Sequence, residues 1–390
     1  MEYRNIRSFG ASGNGAADDA SSFQSALDAA GGIYLPSGRY LIGRTLHMRS
    51  RTRIKAAPDA CVVLADVALK KRGDYLLTAD GADDIGIEGG VWDGNNPGNP
   101  RDPDLFSSTA FPGIMLNFHG VRDLSLRNMT LRDPETFYVC LCDADGFLIE
   151  DIVFDSPHIR PNQDGIHLAG GCQHGVIRRL RGYGMSPNDD LVAINADDYI
   201  GRIENHDLHN GYIRDLIVDD ISAECCHTFI RIANVDSDVS RIYITGVKGK
   251  CANFAVNMDC LRYCRTPLFP PDDPRYTDGV GTARDIHIKD MDVSRTEETD
   301  HNNSRALICL ETNIDDFTVE NFRTAGVSPS LKMTNTCRHI LEFEDLEKPE
   351  TLTLEGALAD GGAICKPLRA SVTLGSGGFG RLCIRKTKDT

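Results

Sequence analysis

Eight short segments of this chain repeat one pattern: two apolar residues separated by a single position and flanked by Asp, Asn, Gly or another polar residue. Asp123-Leu124-Ser125-Leu126-Arg127-Asn128, Gly146-Phe147-Leu148-Ile149-Glu150-Asp151 and Asp285-Ile286-His287-Ile288-Lys289-Asp290 are typical, and similar segments lie near residues 85, 176, 217, 243 and 318. Apolar side chains at i and i+2 lie on one face of a β-strand. The segments recur at intervals of roughly 23 to 45 residues, and most are followed by a second strand-like piece such as Asp151-Ile152-Val153-Phe154. A unit this short cannot bury its apolar face alone and must stack on its neighbours. The pattern therefore predicts an all-β chain, one elongated parallel solenoid, although 390 residues would suffice for two globular domains.

The expected organisation is a single domain over 1–390, with a cap and first coil at 1–45, main coils at 46–345 and closing strands at 346–390. The clearest helical stretch is Ser21 to Ala30, with Asp18 or Asp19 placed to cap its start and Gly31 to end it. A short amphipathic helix there would shield the open core of the first coil. The net charge of −15 and pI near 5.2 exclude a phosphate-binding surface, which needs clustered Lys and Arg, so no nucleic-acid partner is expected. No apolar run is long enough to cross a bilayer, and the first residues contain no signal-like apolar stretch. Thirteen irregularly spaced cysteines read as reduced, mostly buried thiols. Together these readings predict a cytoplasmic protein.

Two acidic islands interrupt the repeats, Asn162-Gln163-Asp164-Gly165-Ile166 and Asn188-Asp189-Asp190-Leu191-Val192. Taken singly, an Asp before Gly is commonly a turn residue, and an Asp-Asp pair a solvated loop. Both islands run into apolar strands, and in a solenoid that places three carboxyls on one wall. Carboxylates in this number suit glycosidic hydrolysis, in which an acid protonates the leaving oxygen and a carboxylate activates water or attacks the anomeric carbon. Three crowded carboxyls cannot all ionise, so one is expected to stay protonated near neutral pH. Adjacent strand residues point to opposite faces, so Asp189 and Asp190 share a groove only if the strand ends or bulges there. Pro187 and Asn188 make a turn at that point plausible.

The opening, from Asn5-Ile6-Arg7-Ser8-Phe9-Gly10 through Gly31-Gly32-Ile33-Tyr34-Leu35-Pro36, resembles that of pectate-lyase-superfamily right-handed parallel β-helix proteins. The two islands are similar to the Asn-x-Asp-Gly and Gly-Asp-Asp motifs of family-28 glycoside hydrolases, the polygalacturonase family. Thr228-Phe229-Ile230-Arg231-Ile232 resembles that family's Arg-Ile-Lys strand. The resemblance implies an inverting, carboxylate-based hydrolase without cofactor or metal, acting on an oligo- or polysaccharide. It makes Asp189 the general acid, with Asp164 and Asp190 holding the attacking water. Asn162 would orient Asp164, and Arg231 would bind substrate.

The chain departs from the family in two places. There is no Gly-His-Gly island after the paired Asp, so His206 or His209 is expected to replace that histidine, with His209 preferred. Residue 233 is Ala where the family has Lys, which removes the cation expected to pair with a galacturonate carboxylate. His167 is expected to line the groove or to pack inward. Trp92 is placed to stack on a sugar or to be buried. The stretch from Trp92 to Phe111 and the insertion from Tyr263 to Thr282 read as groove walls. His206-x-x-His209 lacks further ligands at a recognisable spacing, Cys251, Cys260 and Cys264 form no zinc pattern, and Gly375 to Gly380 has no helix to make a phosphate loop. Two other function classes fit the pattern: a β-elimination polysaccharide lyase with Arg231 as base, and a non-catalytic saccharide-binding solenoid.

Overall fold

The computed structural model describes residues 2–104, 111–197, 208–234, 237–258, 282–296, 307–310, 313–324, 330–333, 341–344, 353–356 and 381–384. His206, Cys260, Cys264, most of the Tyr263 to Thr282 insertion and Gly375 to Gly380 lie outside them.

The period-two segments are strands, and each pairs in parallel with its counterpart one coil away, forming a parallel β-helix. Leu126 lies beside Ile149, Ile149 beside Ile177, Ile177 beside Val218, Val218 beside Ile244 and Ile244 beside Ile288. All six are buried, so one aliphatic column runs through successive coils. Burial of each such side chain contributes about 1.5–3 kcal/mol, which a lone coil could not realise.

The flanking polar residues have a conformational reason. Asn128, Asp151, Asp220 and Asp290 all adopt left-handed backbone, with φ of 54°, 57°, 50° and 57°. Asp123, Asp215 and Asp285 do the same at the other end of the segment, at 53°, 58° and 53°. The pairing register skips these positions: Arg127 pairs with Glu150 and Met129 with Ile152, while Asn128 and Asp151 form the bend. One left-handed residue thus turns the chain from one sheet to the next. Asp and Asn tolerate that region better than other side chains with a Cβ, which explains their recurrence.

A further ladder contains Leu77–Asp80, Leu116–His119, Val139–Cys142, Ile166–Leu168 and Asp190–Asn195, and continues into the latter parts of Ile213–Ala233 and Val239–Met258. Its inner positions, among them Ile166, Val192 and Ile230, join the main core. Its outer positions include Cys140, His167, Ala193, Arg231 and Asn257 in one column, and the functional residues gather on this face.

The helix covers Ala20–Asp28 and buries Phe23, Ala26 and Leu27 in the core. Asp18 Oδ1 accepts from the Ala20 N–H at 2.9 Å, whereas the Asp19 carboxylate is occupied by the Ser12 and Gly13 amides. Left-handed Ala30 and Gly31 end the helix together. Trp92 is wholly buried, its Nε1 donating to Gly89 O at 3.1 Å, which removes it from the groove. Cys142, Cys172, Cys226 and Cys251 are buried, and apolar surroundings push the Cys142 and Cys251 thiols up to about 12. Among the described residues, no helix is long and apolar enough to cross a membrane.

Candidate active site

The acidic islands meet because the residues preceding consecutive strands stack like the strands themselves. The Asp189 amide donates to Gln163 O at 3.3 Å, and the His227 amide donates to Asp189 O at 3.1 Å. Gly165 N–H donates to Asp190 O at 2.8 Å, and Asp190 N–H donates to Asp164 Oδ1 at 3.2 Å. Gly165 is required by this close approach, since a Cβ there would lie 2.5 Å from Leu191 O. The strand begins at Asp190, so Asp189 is still in the turn and both carboxyls can turn to one cluster.

The three carboxyls differ in exposure. Asp164 and Asp190 are buried, while Asp189 keeps 25% of its side chain open to solvent. Asp164 Oδ2 lies 2.7 Å from His167 Nδ1, whose ring is stacked on Phe137 at a centroid separation of 3.9 Å. Asp164 is therefore held from both oxygens, by an imidazole and by a backbone amide. Asp190 Oδ2 lies 3.6 Å from Arg231 Nη1, too far to offset burial. Desolvation holds the Asp190 carboxyl well above the usual carboxylate range; the charges of Asp189 and Asp164 push the same way, and Arg231 and His227 oppose them. The carboxyl that burial pushes up is thus one of the two buried members.

His227 was not anticipated from the sequence. Its Nδ1 lies 3.3 Å from Asp189 Oδ1, and Asn253 Nδ2 lies 3.2 Å from its Nε2. With that amide donating, the His227 proton sits on Nδ1, which lies 3.3 Å from both Asp189 Oδ1 and Thr228 Oγ1. The signal lay in the strand Thr228 to Ile232: Thr228 pairs with Asp190, so the residue before it stands where Asp189 stands one coil earlier.

His209 has to be reassigned. It sits past the opposite ends of these strands, its carbonyl accepting from Gly170 N–H and its Nδ1 lying 2.6 Å from Asp143 Oδ2. From Asp164 to Gly170 the chain advances roughly 20 Å at strand rise, so His209 is not a partner of the acids. The connection between the paired Asp and the next strand is long, and His209 returns with it to the far edge. Asn162 likewise turns to Asp189, its Nδ2 3.5 Å from Oδ2, instead of to Asp164, while Arg101 Nη2 donates to Asn162 Oδ1 at 3.3 Å. His167 and Arg231 share the outer column with Ala193 between them, and both join the cluster. Ala233 is buried and brings no charge. Oxygens of Asp189 and Asp190 and a ring nitrogen of His227 lie within 4.8 Å of one another, so a cation could also be held here.

Comparison with known proteins agrees with the architecture. Residues 3–96 match the family model described as rhamnogalacturonase A/epimerase, pectate lyase-like. A mannuronan C5-epimerase of Azotobacter vinelandii is 29% identical over 232 residues, covering 57% of this chain and 33% of that protein. An endo-polygalacturonase of Pectobacterium carotovorum is 27% identical over 219 residues, covering 51% of this chain and 52% of that protein. The chain thus spans between a third and about half of these two curated relatives. The crystal structure of an exopolygalacturonase from Thermotoga maritima superposes with a TM-score of 0.56 at 14% identity, covering 98% of this chain and 94% of that one. Strand register, coil architecture and these likenesses together make the chain a parallel β-helix protein similar to the pectate-lyase-like superfamily.

Proposed function

We propose that the chain is a glycoside hydrolase that inverts the anomeric centre by carboxylate chemistry. The observation carrying this reading is the graded cluster itself: three carboxyls brought together, two of them buried and only Asp189 substantially open to the groove, with burial pushing Asp190 above the usual carboxylate range. Protons in such a cluster belong to the group rather than to one oxygen. Asp189 is the member able to pass a proton to a departing glycosidic oxygen. Asp164, fixed by His167 and the Asp190 amide, accepts the proton of the water that attacks the anomeric carbon, and Asp190 helps to seat that water. His227 and Asn162 aim Asp189, and Arg231 faces the cluster as a substrate ligand. The reading names the reaction without galacturonate, because Ala233 offers no cation to a sugar carboxylate.

The test is incubation with a panel of plant and microbial glycans, with product analysis and the anomeric configuration of the first product followed by NMR. Release of an inverted reducing sugar, abolished in Asp189→Asn and Asp164→Asn, is expected. Near-normal turnover in both variants would reject the site. The likeness to a mannuronan C5-epimerase favours a second reading, proton abstraction beside a uronate carboxylate. An unsaturated product, or an epimerised chain with no bond cleaved, would select it.

A further inference from the structure

Past the opposite ends of the same strands lies a second group of reactive side chains that the hydrolytic reading does not use. Asp80, His119 and Cys142 occupy one outward column on three successive coils, since His119 pairs with Asp80 on one side and Cys142 on the other. Asp143 follows Cys142 directly, and the returning chain docks His209 against both, its amide donating to Cys142 Sγ at 3.2 Å. Donor atoms of His119, Cys142, Asp143 and His209 all lie within 4.8 Å of one another.

The hydrogen bonding within the group points to a ligand. His119 Nδ1 lies 2.9 Å from Asp80 Oδ1, so the ring proton belongs on that side and the lone pair on Nε2. Nε2 is shielded from solvent, makes no hydrogen bond of good geometry, and faces Asp143 Oδ2 at 3.3 Å. Two lone pairs so opposed repel each other unless a cation or an extra proton stands between them. His209 Nδ1 points to the same Asp143 oxygen from another direction, 2.6 Å away, with its ring edge-on to His119. A cavity of about 440 Å³, lined by Arg72, Tyr75 and Asn117 among others, opens beside both rings and provides an entry path.

We propose that His119, Asp143 and His209, with Cys142 as the fourth donor, form a binding site for a divalent transition metal of the zinc class. Two imidazoles, a carboxylate and a sulfur are the donor types such an ion takes, and oxygen-preferring calcium or magnesium would not select them. Metal–ligand bonds of about 2.0–2.3 Å put tetrahedral donors roughly 3.3–3.8 Å apart; His119 Nε2 already stands 3.3 Å from Asp143 Oδ2, and His209 Nδ1, at 2.6 Å from the same oxygen, has to draw back by about 0.7 Å. His209 is more than half exposed and lies in a connecting segment, where such a shift meets little packing resistance. Asp80 is the outer carboxylate that fixes the tautomer of His119. Bound metal would fasten the returning chain to the wall of the helix.

The experiment is titration of the metal-stripped full chain with Co²⁺, read by its visible absorption, and with Zn²⁺ by calorimetry. One equivalent with tetrahedral cobalt bands is expected. His209→Ala and Asp143→Asn should each weaken binding at least a hundredfold, and Asp80→Asn between ten- and a hundredfold. Asp189→Asn, at the other site offering carboxylate and imidazole donors, should leave this binding intact. Circular dichroism of the variants separates lost ligation from lost fold. Absence of stoichiometric binding would overturn the proposal. Binding lost in Asp189→Asn but retained in His209→Ala would overturn it too.

Discussion

Asp190→Asn is the sharpest perturbation the structure offers, because it separates the cost of the buried carboxyl from its catalytic use. Burial raises the folded-state pKa of Asp190 above the ordinary carboxylate range, so between the ordinary and the shifted value the folded state binds the extra proton. Stability therefore falls as pH rises through this window, by about 1.4 kcal/mol per pH unit for one proton. An Asn side chain has nearly the same shape and no proton to lose, so the variant should lack this slope. The groups facing position 190 are Asp164, Asp189, Arg231 and His227. While its proton is bound the Asp190 carboxyl carries no charge, so the amide leaves the balance around Arg231 unchanged in this window. The assay is denaturant unfolding of both proteins from pH 4 to pH 8, below and through the histidine range. The curves should converge in acid, or cross, and diverge upward in favour of the variant. Parallel curves would show that Asp190 titrates normally, and would refute the argument that burial keeps the proton in the cluster.

Four other outcomes follow from the geometry. Asp189→Asn and Asp164→Asn should each lower kcat by a factor of about 10² to 10⁴ with circular dichroism unchanged, as loss of a positioned acid or base does. His227→Ala should lower kcat and shift the acid limb of the pH–rate profile, because its ring faces Asp189 at 3.3 Å; an unaltered profile would make it a bystander. Gly165→Ala forces a Cβ to within 2.5 Å of Leu191 O and should cost about 1–3 kcal/mol in thermal or chemical unfolding. Asn128→Ala, at φ 54°, should destabilise by about 1 kcal/mol while Asn128→Gly is nearly neutral; equal effects would remove the left-handed bend as the reason for the polar repeats.

The acid cluster was legible in part. Asp164, Asp189 and Asp190 stood out because each island joins a polar turn to an apolar strand, and that junction is written in neighbouring residues. Their ranking by exposure was not legible, since it depends on the strand starting at Asp190 and on the Phe137–His167 stack lying against Asp164. The aim of Asn162 also differed, because the residue follows the stacking of turns and meets the next coil's Asp189.

What the sequence determined by itself was the repeating coil. Alternation of apolar residues and the left-handed preference of Asp, Asn and Gly are properties of a few adjacent residues, and they persist wherever those residues are placed. The tertiary structure alone decided which distant residues meet. Connections between coils vary in length, so counting along the chain leads to His209, whereas lateral hydrogen bonding carries His227 to Asp189 and sends His209 to Asp143. Ladder register, rather than sequence spacing, sets the side-chain neighbours in a stacked fold. It assembles one group from Asp164, Asp189, Asp190 and His227, and a second from His119, Cys142, Asp143 and His209.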